Sequence, residues 1–296
     1  MHGGTEIRLT VTAFLESALC YTRIMLYSVE LGPAMPAVCR LGLATRGGSR
    51  LNPDDVEFAI ARGLNYFNWC GHEDGMSQTI RALGRERSKV VIAVQFQARS
   101  AAGAVREFDG VLAKLRTDYL DVATLYYVES EEEWHGIISS GGAMEQLLSH
   151  KQAGRLRLIG LTSHQRRLAA GWAETGLLDL LMVRYNAAHR GAERDVFPVT
   201  SRRSLPVVTF TGLRWGALLQ STAEDPLGFQ PPAPRDCYRF CLANEHVSVA
   251  LAAPAGRREL EHDLALLDDW RAPSQLELEA IRQHGDRVKR HAEVFW

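Results

Sequence analysis

The 296-residue chain has no Cys-x-x-Cys pair, and its five cysteines (Cys20, Cys39, Cys70, Cys237 and Cys241) are scattered along the whole length. Such spacing suggests neither a disulfide framework nor a thiolate metal site, and reduced thiols in the cytoplasm are the expectation. A long uncharged apolar run is also missing. The stretch from Val11 to Leu31 comes nearest, but Glu16, Arg23 and Glu30 interrupt it, whereas a spanning helix needs ~20 predominantly apolar residues. The same interruptions, and the lack of a clear small-residue cleavage site, argue against a secretory signal. Residues 1–34 are therefore read as an N-terminal extension, either a surface amphipathic segment or a leader upstream of a start at Met35, and residues 35–296 as one domain. An excess of one charge is lacking too. With 34 basic and 35 acidic side chains the formal net charge is −1, so no protein-wide field attracts nucleic acid or an anionic membrane. The expected partner is a small-molecule substrate, and no oligomeric state is implied.

What the chain does contain is a regular alternation. With 46% hydrophobic and 23% charged residues it has the composition of a globular protein. From residue 36 onward, short apolar runs alternate with helical patterns. The runs predicted as strands are Val38–Ala44, Leu64–Trp69, Val90–Gln95, Tyr119–Tyr126, Leu156–Thr162, Leu180–Tyr185, Pro206–Thr211 and Val247–Leu251. Helices are predicted between them, the first from Asn52-Pro53-Asp54 to Arg62, with Asn52 as N-cap and Pro53 at the first helical position. A last amphipathic helix, Ser274–His291, closes the chain. Eight such units predict an α/β fold of the (β/α)₈ barrel type with parallel strands. The competing doubly wound sheet would call for a G-x-G-x-x-G between first strand and helix; Arg46-Gly47-Gly48 is only a turn.

In a barrel, chemistry sits where the strands end. Those ends carry Asn68, Cys70, His72, Glu73 and Asp74, then Gln95 and Gln97, then Tyr126, Tyr127 and Glu129. Further on come Thr162, Ser163 and His164, then Arg184, Tyr185 and Asn186, then Thr211, Arg214 and Trp215. After the last strand, Gly256 with Arg257 and Arg258 forms a helix start suited to a phosphate.

Several of these segments resemble the aldo-keto reductases. The similar motifs are Leu41-Gly42-Leu43, Gly63-Leu64-Asn65-Tyr66-Phe67-Asn68, Thr117-Asp118-Tyr119-Leu120-Asp121, the run from Gly154 to Ser163, and Arg184-Tyr185-Asn186-Ala187-Ala188-His189-Arg190. The resemblance runs from about residue 38 to 290. It implies a (β/α)₈ barrel that binds NADP(H) and reduces carbonyls with a tetrad of Asp, Tyr, Lys and His. All four positions depart from that pattern: Asn68 stands at the Asp, Glu73 or His72 at the Tyr, Gln95 at the Lys and Tyr126 at the His. A phenol without a neighbouring cation stays near pKa ~10 and is a weak acid at neutral pH. By the same resemblance Thr162, Ser163, Tyr185 and Asn186 would contact the nicotinamide, and Arg257 and Arg258 the adenosine phosphate.

Candidate roles compete with plainer ones. His72 and Glu73 form either an acid/base unit or solvated surface, since a carboxylate beside an imidazole raises its pKa. Asn68 and Gln95 read as a neutral amide pair. Tyr126 and Tyr127 alternate faces, so one points into the barrel and one out. Cys70 reads as a small buried hydrophobe. Arg184, Arg190 and Arg214 either hold a substrate carboxylate or pair with local acids. The run Glu129 to Glu133 makes a solvated helix start or loop. No metal is expected, because nothing brings His72, Glu73, His164 and His189 together. Two functions follow: an oxidoreductase with Glu73, His72 or Tyr126 as an altered acid, or a barrel without redox chemistry, acting as a cofactor-independent lyase or isomerase or as a binding protein.

Overall fold

The computed structural model describes residues 27–45 and 49–291; most of the Val11–Leu31 run and the Arg46-Gly47-Gly48 turn lie outside them. Eight parallel strands close a barrel in the order β10-β3-β4-β5-β6-β7-β8-β9. They are β3 (Leu41–Ala44), β4 (Tyr66–Trp69), β5 (Val91–Phe96), β6 (Leu120–Leu125), β7 (Leu156–Thr162), β8 (Leu180–Arg184), β9 (Val207–Phe210) and β10 (Val249–Ala252). The first predicted strand divides in two. Its start is β2 (Val38–Cys39), which pairs antiparallel with β1 (Ser28–Val29), and only β3 enters the barrel. Arg40 marks the break: its backbone N–H donates to Tyr27 O at 2.6 Å.

Side chains of every second strand residue fill the barrel, among them Tyr66, Val91, Ala93, Val122, Leu158, Leu180, Met182, Val208, Val249 and Leu251. Gly42 makes room for this layer, since a Cβ there would come within 3.0 Å of Leu251, Tyr66 and Val249. The opposite parity packs against the helices in a larger apolar cluster. Both faces of each strand are buried, which is why the strands read as continuous apolar runs. Leu31 packs under the barrel with Val38 and Leu158, so chain on the N-terminal side of residue 35 touches its lower end.

The helices follow their local signals. In α1 (Pro53–Ala61), Asn52 Oδ1 accepts from Asp55 N at 3.0 Å and Asp55 reciprocates, a capping box with Pro at the first turn. The helices α2 (Gly75–Ala82) and α3 (Ala101–Leu115) come next. The Glu-rich run opens α4 (Glu131–Ile138), capped by Ser130, with Trp134 and Ile137 buried. Carboxylates in a first turn favour the helix N-terminus. Then come α5 (Ala143–Gln152), α6 (Arg166–Ala173), α7 (Ala192–Asp195), α8 (Phe197–Arg202), α9 (Pro234–Leu242), α10 (Arg257–Asp268) and α11 (Gln275–Arg290). The last helix lies on the segment after β8: a Cβ on Gly285 would come within 2.3 Å of Ala187 O. Among the described residues no helix is long and apolar enough to cross a membrane.

Candidate functional site

A cavity of about 310 Å³ opens at the C-terminal ends of the strands. Inward alternation brings Ala44 and Asn68, Gln95 and Tyr126, Thr162 and Met182, and Phe210 onto its wall. Asn68 is almost fully buried. Its Nδ2 donates to Cys70 Sγ at 3.7 Å, while its Oδ1 and the Oγ1 atoms of Thr45 and Thr162 are buried without a hydrogen-bond partner. Burial pushes the Cys70 thiol up to about 12, so it is no thiolate nucleophile.

Both tyrosines line the cavity, against the alternation expected for them. Tyr127, two residues past the end of β6, lies in the left-handed region at φ 48°, which turns its ring back beside Tyr126, with centroids 4.0 Å apart. His164 stacks on the other face of Tyr127 at 4.4 Å. Burial first, then hydrogen bonding and proximity to Tyr127, raise the Tyr126 phenol above its ordinary value.

Glu73 and His72 do not reach the cavity. The loop after β4 turns outward, and Glu73 forms a two-pronged ion pair with Arg81 of α2. That pair lowers the Glu73 carboxyl below its ordinary range, the wrong direction for an acid at neutral pH. His72 is exposed and its carbonyl accepts from Trp69 Nε1 at 2.7 Å. Trp69 has the outward parity of its strand and is buried against helices, so Trp215, 53% exposed and on the cavity wall, is the tryptophan at the mouth.

Several expected cofactor contacts also fall elsewhere. Tyr185 has the outward parity, because Leu180, Met182 and Arg184 point in; its ring packs on Phe197 and its hydroxyl donates to Glu193 at 2.7 Å. Asn186 is fully buried and committed to the backbone: Nδ2 donates to Thr211 O at 2.7 Å and Oδ1 accepts from Ala188 and His189 N–H. Ser163 Oγ accepts from Gln165 N at 2.9 Å. Arg257 pairs with Asp55 and Glu261 and stacks 3.6 Å over Phe58, while Arg258 is exposed. Thr162 alone of the six lines the cavity.

Other wall residues carried no legible signal. Glu259, His262 and Asp263 of α10 and Tyr238 of α9 close the side across the barrel from β6. Burial and the charge of Glu259 push the Asp263 carboxyl up to about 8, against a hydrogen bond with Tyr238. Phe210 could have been found by counting in twos from Val208. Beyond it, Thr211, Arg214, Trp215 and Gly216 all have positive φ, a strained turn of the kind that clusters at binding sites. Among the described residues no group of three His, Cys, Asp or Glu side chains is arranged to hold a metal.

The sequence matches the aldo/keto reductase family over residues 53–268. The holo form of an aldo-keto reductase from Bacillus halodurans superposes with a TM-score of 0.71 at 17% identity, covering 87% of this chain and 95% of that one. An aldo/keto reductase from Klebsiella pneumoniae, solved with NADP and acetate, gives 0.66 at 20% identity over 84% and 92%. An aldo-keto reductase of the same organism in complex with NADPH gives 0.65 at 19% over 88% and 95%. Among curated proteins there is no match.

Proposed function

Because the chain belongs to the aldo/keto reductase family, we propose that it is an oxidoreductase that binds NADP(H) at the mouth of its barrel and reduces a small carbonyl or imine with a non-standard acid. The solved relatives carrying NADP or NADPH support the cofactor. So does the wall of the cavity. Asn68 Oδ1 and Thr162 Oγ1 are buried there without partners, the complement that a carboxamide needs, and Phe210 adds a ring beside them. These three residues would hold the nicotinamide end, and the bound cofactor supplies the hydride. Arg258 is the exposed cation of the α10 start that stays a candidate for the adenosine phosphate.

The observation that carries the reading is the state of Tyr126. Of the three acids predicted, it alone is on the cavity wall. Asn68 and Gln95 stand in place of an Asp–Lys pair, and burial raises the phenol pKa. Such a phenol donates a hydrogen bond well and transfers a proton poorly at neutral pH. A ketone, which needs the proton as its oxygen becomes an alkoxide, is badly served. An imine can be protonated before it binds and asks only for orientation, so it is the favoured substrate class.

The test is a titration with NADPH and NADH followed through Trp215 emission. Saturable binding at micromolar cofactor, then faster turnover of cyclic imines than of matched ketones, is the expected result. No binding up to millimolar cofactor would retire the reductase and leave a cofactor-independent lyase or isomerase, or a binding protein.

A further inference from the structure

Two arginines at the mouth lack the carboxylate that Arg87, Arg239 and Arg190 each have, whereas Arg40, which also has no carboxylate partner among the described residues, is held by the carbonyl oxygens of Leu242 and Val247. Arg87 meets Asp121 at 2.8 Å, Arg239 meets Asp236 at 3.1 Å, and Arg190 meets Asp286 at 2.8 Å. Arg184 and Arg214 have no carboxylate within 4.0 Å among the described residues; each meets an imidazole instead. Arg184 Nη2 donates to His164 Nδ1 at 3.3 Å, and Arg214 Nε donates to His189 Nε2 at 3.1 Å. The Nε of Arg184 is buried with no partner at all, and Arg214 is only 6% exposed.

The neighbouring acids are already engaged. Glu129 Oε1 accepts from the His164 backbone N–H at 2.8 Å, and Asp195 meets Arg166, Arg167 and Arg194. The imidazoles supply no negative charge either. Burial and the cations Arg214, Arg184, Lys289 and Arg166 hold His189 down at about 4, and burial with Arg184 lowers His164. Both rings are therefore neutral acceptors. Burying guanidinium charge without a paired counter-ion is costly; Glu129 acts on Arg184 only through space, and the two arginines lie just behind the cavity wall. By strand parity Arg184 points into the barrel, and its guanidinium lies 5.4 Å over the Trp215 ring. Both Trp215 and the Tyr127 that stacks on His164 are on the cavity wall.

We propose that Arg184 and Arg214 form an oxyanion site for the substrate, binding a carboxylate or phosphate carried by the molecule that occupies the mouth cavity. This rests on that cavity being the substrate site. An anion there takes two charge-assisted contacts and removes the need for a protein carboxylate, which explains why none is present. Since two such contacts replace water rather than a protein partner, the gain expected over a neutral analogue is ~10-fold or more.

The experiment measures binding to the full chain by calorimetry with four probes: 4-formylbenzoate, benzaldehyde, inorganic phosphate and NADPH. Tighter binding of 4-formylbenzoate than of benzaldehyde is expected, by about 10-fold. The difference should vanish in Arg184→Met and Arg214→Met, and return in part in Arg184→Lys. A second readout needs no variant. Phosphate bound beside the imidazoles should raise the His189 and His164 titration midpoints seen by NMR. Equal affinity for the two aldehydes, or histidine midpoints unmoved by phosphate, would overturn the proposal. So would arginine variants that weaken NADPH while sparing 4-formylbenzoate, which would place cofactor phosphates at the cluster. Failure of NADPH to bind while 4-formylbenzoate is still preferred would overturn the reductase reading and leave the anion site standing.

Discussion

The two ends of the barrel treat charge in opposite ways. At the N-terminal end Asp121, with no exposed surface, receives Arg87 at 2.8 Å and Arg157 at 2.9 Å and accepts from Ile92 N at 2.8 Å. Both guanidinium carbons also lie over the Tyr119 ring, 4.0 and 4.6 Å from its centroid. That network is closed on itself and has only a structural task. The mouth is open in the same sense. Asn68 Oδ1, Thr162 Oγ1 and Arg184 Nε lack partners there, and two arginines lack counter-ions. A buried polar group left unsatisfied costs about 1–3 kcal/mol, so such groups persist where something other than stability is selected. In a (β/α)₈ barrel the lower end serves stability and the upper end serves function; the Asp121 network and the unpartnered atoms of Asn68, Thr162 and Arg184 follow that division.

The sharpest way to break this contrast is to open the closed end. Asp121→Asn leaves Arg87 buried without its counter-charge and should cost about 3–5 kcal/mol of stability, measured by urea unfolding. A loss under about 1 kcal/mol would mean that the lower network does not hold the barrel.

The next change closes the mouth. Asn68→Asp with Gln95→Lys places an ion pair beside Tyr126 and should lower its pKa, raising ketone turnover by about 100-fold, the typical scale of general acid catalysis. The alkaline limb of the pH–rate profile, where the phenol loses its proton, should move down with it. An unchanged profile would remove Tyr126 from the chemistry.

Asp263 offers an effect graded with pH. Its folded pKa, about 8, lies above the ordinary 3.8, so the folded state keeps a proton that the unfolded chain gives up. Its stabilising contribution is complete below pH 4 and is lost as the pH rises towards 8. Asp263→Asn should therefore gain stability over wild type across that window, by at most about 1.4 kcal/mol per pH unit. Melting curves at pH 5 and pH 8 that differ equally between the two proteins would contradict the assignment. The smallest effect expected is at Glu73→Gln and His72→Asn, which lie outside the cavity: NADPH affinity and turnover should stay as in wild type, and a loss in either would return the loop after β4 to the site.

The order of elements was legible because it is local. Apolar runs bounded by turn residues, Asn52-Pro53-Asp54 at a helix start, and Ser130 before Glu131 each act within a few residues of chain. So did the family motifs, many of which, like Asp118 to Asp121, maintain the lower end. Parity was legible too wherever strands stayed regular: it places Gln95, Tyr126 and Thr162 inward, and carried one strand further it would have turned Tyr185 outward and found Phe210. The rest was decided by tertiary structure. A left-handed residue at Tyr127 reversed one side chain, an arginine eight residues away drew Glu73 out of the site, and α9 and α10 brought Tyr238 and Asp263 to a cavity whose other wall is β6. Whether an arginine has a counter-ion depends on which carboxylates arrive from distant elements and whether others have already taken them. Arg190 found Asp286 across 96 residues of chain, and Arg184 found none: local spacing determined where these side chains start, and only the closed barrel decided what they meet.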